Sequence, residues 1–368
     1  MTEEVTSSHI GARIKEYRIR LNLSQKQLAD RMGIPALQSV SEIEAGRREL
    51  KARELVRAAN ALMTSVQNLL SIETLAFPEP RWRDKPEVGF EEVEARFCLR
   101  CERYALLEAW CDEPCPRDLP SASIPKGHDP TPSDLDRAAG DIEASMKLGG
   151  RPAVALAETL QEDYGVKIFY DTFSGPALSV SGKFGRAILL NREDVKWRRN
   201  FSLAHELFHL LVEDLHLDPD KEEGYANSFA SALLLPTSSL TALLTPKVRN
   251  SKIPVSELVA AAQEFQVSTE ALLWKLCTMN KLTREQVKGL IGSESVRSFE
   301  AQSRRPNDSP DLLPDRYVRL AYRAYNKGKI GLAKLAEFLE TTAGELAAES
   351  KIWSTDADLD EEAEVALA

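Results

Sequence analysis

The stretch FSLAHELFHLLVED, residues 201–214, sets two of the chain's five histidines four positions apart around a glutamate. That spacing has a consequence only on an α-helix, where positions i and i+4 share a face. There His205 and His209 can turn both imidazoles toward one point with Glu206 beside them. The helix is otherwise dominated by leucine and phenylalanine, so it has to be buried. Before it come three short apolar runs, VKIFY, ALSVSG and AILLN, which read as strands of a small sheet by length and β-branched content. After it comes EEGYANSFASALLLP, residues 222–236, a second apolar helix that begins with acids. Helix is predicted almost everywhere else, so the fold class is mainly α with a small β-sheet, α+β.

With 368 residues, 43% of them hydrophobic, the chain exceeds what one core usually serves, and two or three domains are expected. Residues 76–90, AFPEPRWRDKPEVGF, carry three prolines and read as a linker. Residues 113–133 are rich in proline and serine and read as a loop or second boundary. The expected order is a helix-turn-helix unit at 9–72 and a linker and helical region with a cysteine cluster at 73–136. There follow a unit built on the strands and the histidine helix, with trailing helices, at 137–291, and a flexible linker at 292–313. A helical unit at 314–352 and a disordered acidic tail at 353–368 complete the expected order. A net charge of -10 argues against general coating of nucleic acid or of an acidic membrane. The N-terminal MTEEVTSSHI lacks a signal pattern and no run is apolar enough to span a bilayer, so a cytoplasmic protein without membrane contact is expected.

Neutral imidazoles bind Zn²⁺ well, and a catalytic site adds a third protein ligand while leaving one position open. The acids that begin the next helix supply candidates, Glu222 and Glu223. Zn²⁺ is the expected ion, with Mn²⁺ possible because the same N and O donors accept both. An ion there acidifies water, and Glu206, next to His205, is placed to accept the proton and return it to a leaving amine. Peptide-bond hydrolysis is the reaction this set of groups serves.

RRNFSLAHELFHLL followed by EEGYANSFASALLLP resembles the ImmA/IrrE family of metallopeptidases, which pairs H-E-x-x-H with a following E-x-x-A-N-x-F-A. The resemblance implies His205, His209 and Glu223 as metal ligands and Glu206 as the catalytic glutamate, with Glu222 one position off the pattern. His216, in the interval between the two motifs, reads as a surface histidine, with a substrate-polarising role as the alternative.

In the N-terminal region Ser24 stands as an N-cap with Gln27 at the capping-box position, Gly33 closes that helix, and a second short helix runs through QSVSEIEA to Gly46. Residues 9–55 hold ten Lys/Arg against six Asp/Glu, a surplus of four positive charges on an acidic chain. This region resembles the XRE/Cro-type helix-turn-helix family, although IPAL places an extra residue between the two helices. The resemblance implies phosphate contacts from Gln25 and Arg47, with Arg48 in the same basic group. It also implies base-edge contacts from Gln38, Ser39 and Glu42. A homodimer on a symmetric double-stranded DNA operator is the expectation that follows.

Cys98, Cys101, Cys111 and Cys115 form C-x2-C-x9-C-x3-C. Four thiolates can hold a structural Zn²⁺, but the first pair lies in a strongly helical segment, where cysteines pack as small apolar residues. Buried thiols are the expectation and structural zinc the alternative; Cys277 reads as core.

The leading expectation is a DNA-binding zinc metallo-endopeptidase that relieves repression by cutting a protein. The ImmA/IrrE resemblance implies a helix-turn-helix repressor as that protein, a stress-response, mobile-element or defence operon as the target, and single-stranded DNA as one possible activator. The alternative is a non-proteolytic XRE-family regulator or antitoxin-like protein that keeps the metallopeptidase fold as a sensor or dimerisation body.

Overall fold

The computed structural model describes residues 5–34, 37–72, 79–113, 117–125, 129–213, 215, 217–250, 252–302 and 309–347. The acidic tail, Cys115 and His216 lie outside the described residues.

Five helices open the chain: α1 (Ser7–Arg20), α2 (Gln25–Met32), α3 (Leu37–Glu44), α4 (Ala52–Ala61) and α5 (Val66–Leu70). The Ser24 hydroxyl accepts from the Gln27 amide at 3.2 Å and the Gln27 side chain accepts from the Ser24 amide at 2.7 Å, the reciprocal cap that starts α2. Gly33, at φ 64°, ends it in the left-handed conformation. Ile14, Leu28, Met32, Val40, Ile43, Leu62 and Leu69 form the core of this unit. Gly11 lets α1 approach α3 closely: a Cβ there would lie 2.1 Å from the Ile43 carbonyl oxygen.

The connector then supplies a strand, β1 (Arg81–Trp82), ahead of the long α6 (Phe90–Cys111), α7 (Pro132–Met146) and α8 (Pro152–Glu162). Three strands follow, β2 (Lys167–Asp171), β3 (Ala177–Gly182) and β4 (Gly185–Asn191), then α9 (Lys196–Val212) and α10 (Pro219–Leu234). The remaining helices are α11 (Thr237–Leu244), α12 (Val255–Glu264), α13 (Thr269–Thr278), α14 (Arg284–Leu290), α15 (Glu294–Gln302), α16 (Asp315–Asn326) and α17 (Leu332–Phe338).

The sheet has the order β1-β3-β4-β2. β2 and β4 are parallel with Ile168 opposite Ile188, while β3 and β4 form an antiparallel hairpin that closes at Gly182 and Gly185. Side chains alternate between its two faces. Ile168, Ala177, Ile188 and Leu190 enter the core shared with Leu203, Leu207 and Phe208 of α9 and Phe229 of α10. Phe169, Leu178, Ala187 and Leu189 enter a second core with Phe97 and Tyr104 of α6 and with Tyr317, Leu320 and Phe338 of α16 and α17. There Tyr104 meets Tyr317 edge to face at 5.3 Å between centroids, an arrangement that adds roughly 0.5–1.5 kcal/mol to burial. Helices α16 and α17 therefore share a core with α6 and the back of the sheet.

Three features depart from the sequence reading. The proline-rich linker contains β1, paired antiparallel with β3 through Arg81–Ser179 and Trp82–Leu178. The expected flexible linker at 292–313 holds α15, started by Ser293, whose hydroxyl accepts from the Val296 amide at 3.3 Å, and anchored by buried Val296. Between α12 and α13 the chain breaks at Gln266, at φ 53°, whereas the sequence of residues 255–278 reads as one helix. Among the described residues no single helix is long and apolar enough to cross a membrane.

Candidate metal centre

α9 lies against the sheet with His205 and Glu206 fully buried and His209 nearly so. α10 starts at Pro219 behind Asp218, whose side chain accepts from the Asp220 amide, and this start places Glu222, Glu223 and Asn227 along the histidines. The Nδ1 of His205 is 3.1 Å from Asn227 Oδ1, and the Nδ1 of His209 is 2.8 Å from Glu222 Oε1. Each acceptor assigns the proton to Nδ1 and leaves the Nε2 lone pair facing inward.

Those two Nε2 atoms are 3.2 Å apart, and the oxygens of Glu223 lie 3.1 Å from His205 Nε2 and 3.3 Å from His209 Nε2. Two ligands each about 2.0–2.1 Å from a tetrahedral ion stand about 3.3 Å apart, so the spacing of the donors matches a tetrahedral zinc site. Lone pairs and a carboxylate that converge in this way repel unless a cation sits among them. The donor set therefore fits Zn²⁺, and among the described residues His205, His209 and Glu223 form the group that could hold a metal.

The electrostatics point the same way. Burial alone would lower the pKa of His209, but Glu222 and Glu223 raise it to about 9. Glu223, which burial would raise, is held below the usual carboxylate range by His205 and His209. Burial raises Glu206, opposed by His209, by Ser179 on β3 and by His205. Both Glu206 oxygens are buried without a hydrogen-bond partner of ordinary geometry. A buried carboxylate without partners is costly, and an adjacent cation is what offsets that cost.

Glu222, the reserve ligand, does not join the donor set; it orients His209 and is itself held by Arg81 at 2.7 Å. Asn227 stood inside the quoted motif without a role, and its position one turn beyond Glu223 was the available signal. Arg81, Arg83 and Ser179 carried no signal, because only the sheet brings them to α9.

Among the described residues the cysteines do not form a second centre. Cys98, Cys101 and Cys111 are free and buried, and α6 is continuous through all of them. Ten residues of α-helix separate Cys101 from Cys111, about 15 Å of axial rise, too far to share an ion. Burial pushes the Cys98 thiol up to about 11, and Cys111 donates to the Leu320 carbonyl at 3.4 Å. Cys277 is half-buried at the edge of the main core.

On the DNA-binding side, Gln38 is exposed at the start of α3, with its amide 3.2 Å from Glu42, and Ser39 is half-buried. Gln25 donates to Glu44 at 2.9 Å, and the same carboxylate takes Arg18 at 2.6 Å. Arg47 is exposed, while Arg48 pairs with Glu54 at 2.6 Å.

Comparison with known proteins agrees with this division. Residues 161–276 match the profile of a peptidase family described as the IrrE N-terminal-like domain, and residues 14–69 match that of a helix-turn-helix family. No curated protein matches. Among solved structures, a Mycobacterium tuberculosis transcriptional regulator is similar at 17% identity and a TM-score of 0.31, over 50% of this chain and 54% of that one. The chain thus spans about half the length of that regulator. It joins an XRE-type helix-turn-helix region to an IrrE/ImmA-type peptidase domain, a pairing that supports a regulatory protein, and the first region supports DNA binding.

Proposed function

We propose that the chain is a DNA-binding regulatory metallo-endopeptidase in which His205, His209 and Glu223 hold Zn²⁺, or Mn²⁺ where that ion prevails, and Glu206 moves the proton. The observation that carries this reading is the convergence of three donors within 3.1–3.3 Å of one another beside a fully buried, unpartnered Glu206. When bound, the ion supplies Lewis-acid activation of water and of the peptide carbonyl. Asn227 and Glu222 hold the imidazoles in the tautomer and orientation that ligation requires. Glu206 takes one proton from water as the water oxygen bonds to the carbonyl carbon and the π pair moves onto the carbonyl oxygen. On collapse the carbonyl re-forms, the C–N bond breaks and Glu206 returns its proton to the leaving nitrogen. A structural site needs no base at that position, which favours turnover over a purely regulatory use of the fold.

The substrate we propose is a protein, a helix-turn-helix repressor whose cleavage switches on a stress, mobile-element or defence operon. The helix-turn-helix unit is assigned to a double-stranded operator bound as a homodimer, with single-stranded DNA as an activator and the cytoplasm as its place of work. The test is metal per chain by elemental analysis in the wild type and His205→Ala, followed by digestion of a proteome-derived peptide mixture. One equivalent lost in His205→Ala, with cleavage products that vanish in Glu206→Gln, supports the reading. Metal that is unchanged in His205→Ala sinks the site; products that persist in Glu206→Gln sink the mechanism.

A further inference from the structure

Arg81 in β1 and Arg83 just after it both lie on the α9 side of the sheet, and the orientation of His209 through Glu222 accounts only for the first. In an antiparallel pair, opposite residues share a face. Arg81, opposite Ser179, therefore lies on the α9 face, Trp82 on the other and Arg83 on the α9 face again. The contacts agree: Trp82 donates to Glu94 at 2.8 Å and meets Phe173 on the far side, while Arg81 binds Glu222. Arg83 is fixed through its backbone, whose amide donates to the Ala177 carbonyl at 3.2 Å.

The Arg83 side chain differs from its neighbour in having no carboxylate in ion-pair contact among the described residues. Its Nη1 donates to the hydroxyl of fully buried Ser202 at 2.9 Å, and its guanidinium lies 5.2 Å from the centroid of the Phe201 ring. Ser202 stands three residues before His205 and four before Glu206, on the same helical face. Burial pulls the guanidinium below its ordinary pKa, and the strongest charges that oppose this are Glu206 and Glu223. A guanidinium carries five N–H donors, of which one has a hydrogen-bond partner here among the described residues. The fork is thus half-buried, held by Ser202 one turn before His205 and set beside the Phe201 ring, with donors to spare.

We propose that Arg83 is a further catalytic residue of this centre, whose free N–H groups donate to the carbonyl oxygen of the scissile peptide and to the oxyanion it becomes. The proposal rests on the metallopeptidase reading. In that reaction the oxygen gains a full negative charge while Glu206 is neutralised by the proton it accepts. A fixed cation beside that oxygen thus gains most in the transition state. Removal of one such donor typically costs about 10²–10³ in turnover. A lysine offers a single point of charge in place of the fork and replaces it only in part.

The test uses the full chain loaded with Co²⁺ and inorganic phosphate as a tetrahedral oxyanion probe, read by the visible spectrum of the cobalt. In Arg83→Ala, phosphate should bind at least tenfold more weakly than in wild type at unchanged cobalt per chain, with Arg83→Lys between the two. Equal phosphate affinity in wild type and Arg83→Ala overturns the proposal and leaves the metal site standing. Arg83→Gln, which keeps a donor for Ser202, is the second variant. Loss of cobalt from both Arg83→Ala and Arg83→Gln assigns the residue to the fold and also overturns it. A wild type that takes up no cobalt overturns the metal site itself.

Discussion

Two sets of side chains of the kinds that can ligate a metal sit on long helices of this chain, the histidines of α9 and the cysteines of α6, and both are more than 90% buried. On α9 the two proposed ligands are one turn apart, a second helix supplies the proposed third, and Asn227 and Glu222 hold the outer ring nitrogens. On α6 the thiols are spread along one rod among Phe97, Tyr104 and Leu107, and burial holds Cys98 and Cys101 protonated. Burial thus has opposite outcomes in the two places. Among acceptors it concentrates the demand for a cation; among apolar side chains it favours the neutral thiol.

The contrast breaks most sharply through metal content. His205→Ala should lose the bound equivalent, whereas the double variant Cys98→Ala, Cys101→Ala should keep it; elemental analysis of both decides, and metal lost from the cysteine variant reverses the assignment. Next in size is Glu206→Gln, which should lower peptide cleavage by about 10²–10⁴ with metal unchanged, because the residue moves a proton and holds no ion. Asn227→Ala should weaken metal binding by about 10–100-fold, measured by competition with a chromophoric chelator, since the imidazole of His205 then loses its outer partner. The smallest effect concerns pH. The Cys98 thiol is raised by burial to about 11, so its contribution to stability is complete below the ordinary thiol range and is lost as pH rises from about 9 toward 11. Thermal midpoints of Cys98→Ala should fall less across that interval than those of wild type. Parallel curves would show that the thiol titrates freely in the folded state.

Much of this was legible from local pattern, and the residues show where legibility stops. The strands at 167–171, 177–182 and 185–191 were visible because β-branched runs encode burial on both faces. His205, Glu206 and His209 were visible because helical period puts them together whatever else the chain does. Glu223 needed the resemblance to be chosen over Glu222; in space the two divide the work, one on the inner nitrogens and one on an outer nitrogen. The spacing of Cys101 and Cys111 could have been excluded from the helical reading alone, since a continuous helix separates them by length. β1 was hidden because two residues have no period, and its prolines speak for a connector. Ser293 looked like part of a polar linker, and its capping role emerged only once Val296 had a surface to bury against.

The place of β1 in the chain bears on how such proteins can be recombined. The span that matches the peptidase profile begins at residue 161, eighty residues after Arg81, so the centre is assembled from two stretches of chain. An exchange of N-terminal units with a crossover just before residue 161 would carry Arg81 and Arg83 away with the DNA-binding helices. It would deliver a histidine cluster without its two guanidinium groups. The unit of inheritance that keeps this centre whole starts upstream of β1, inside what reads as a spacer.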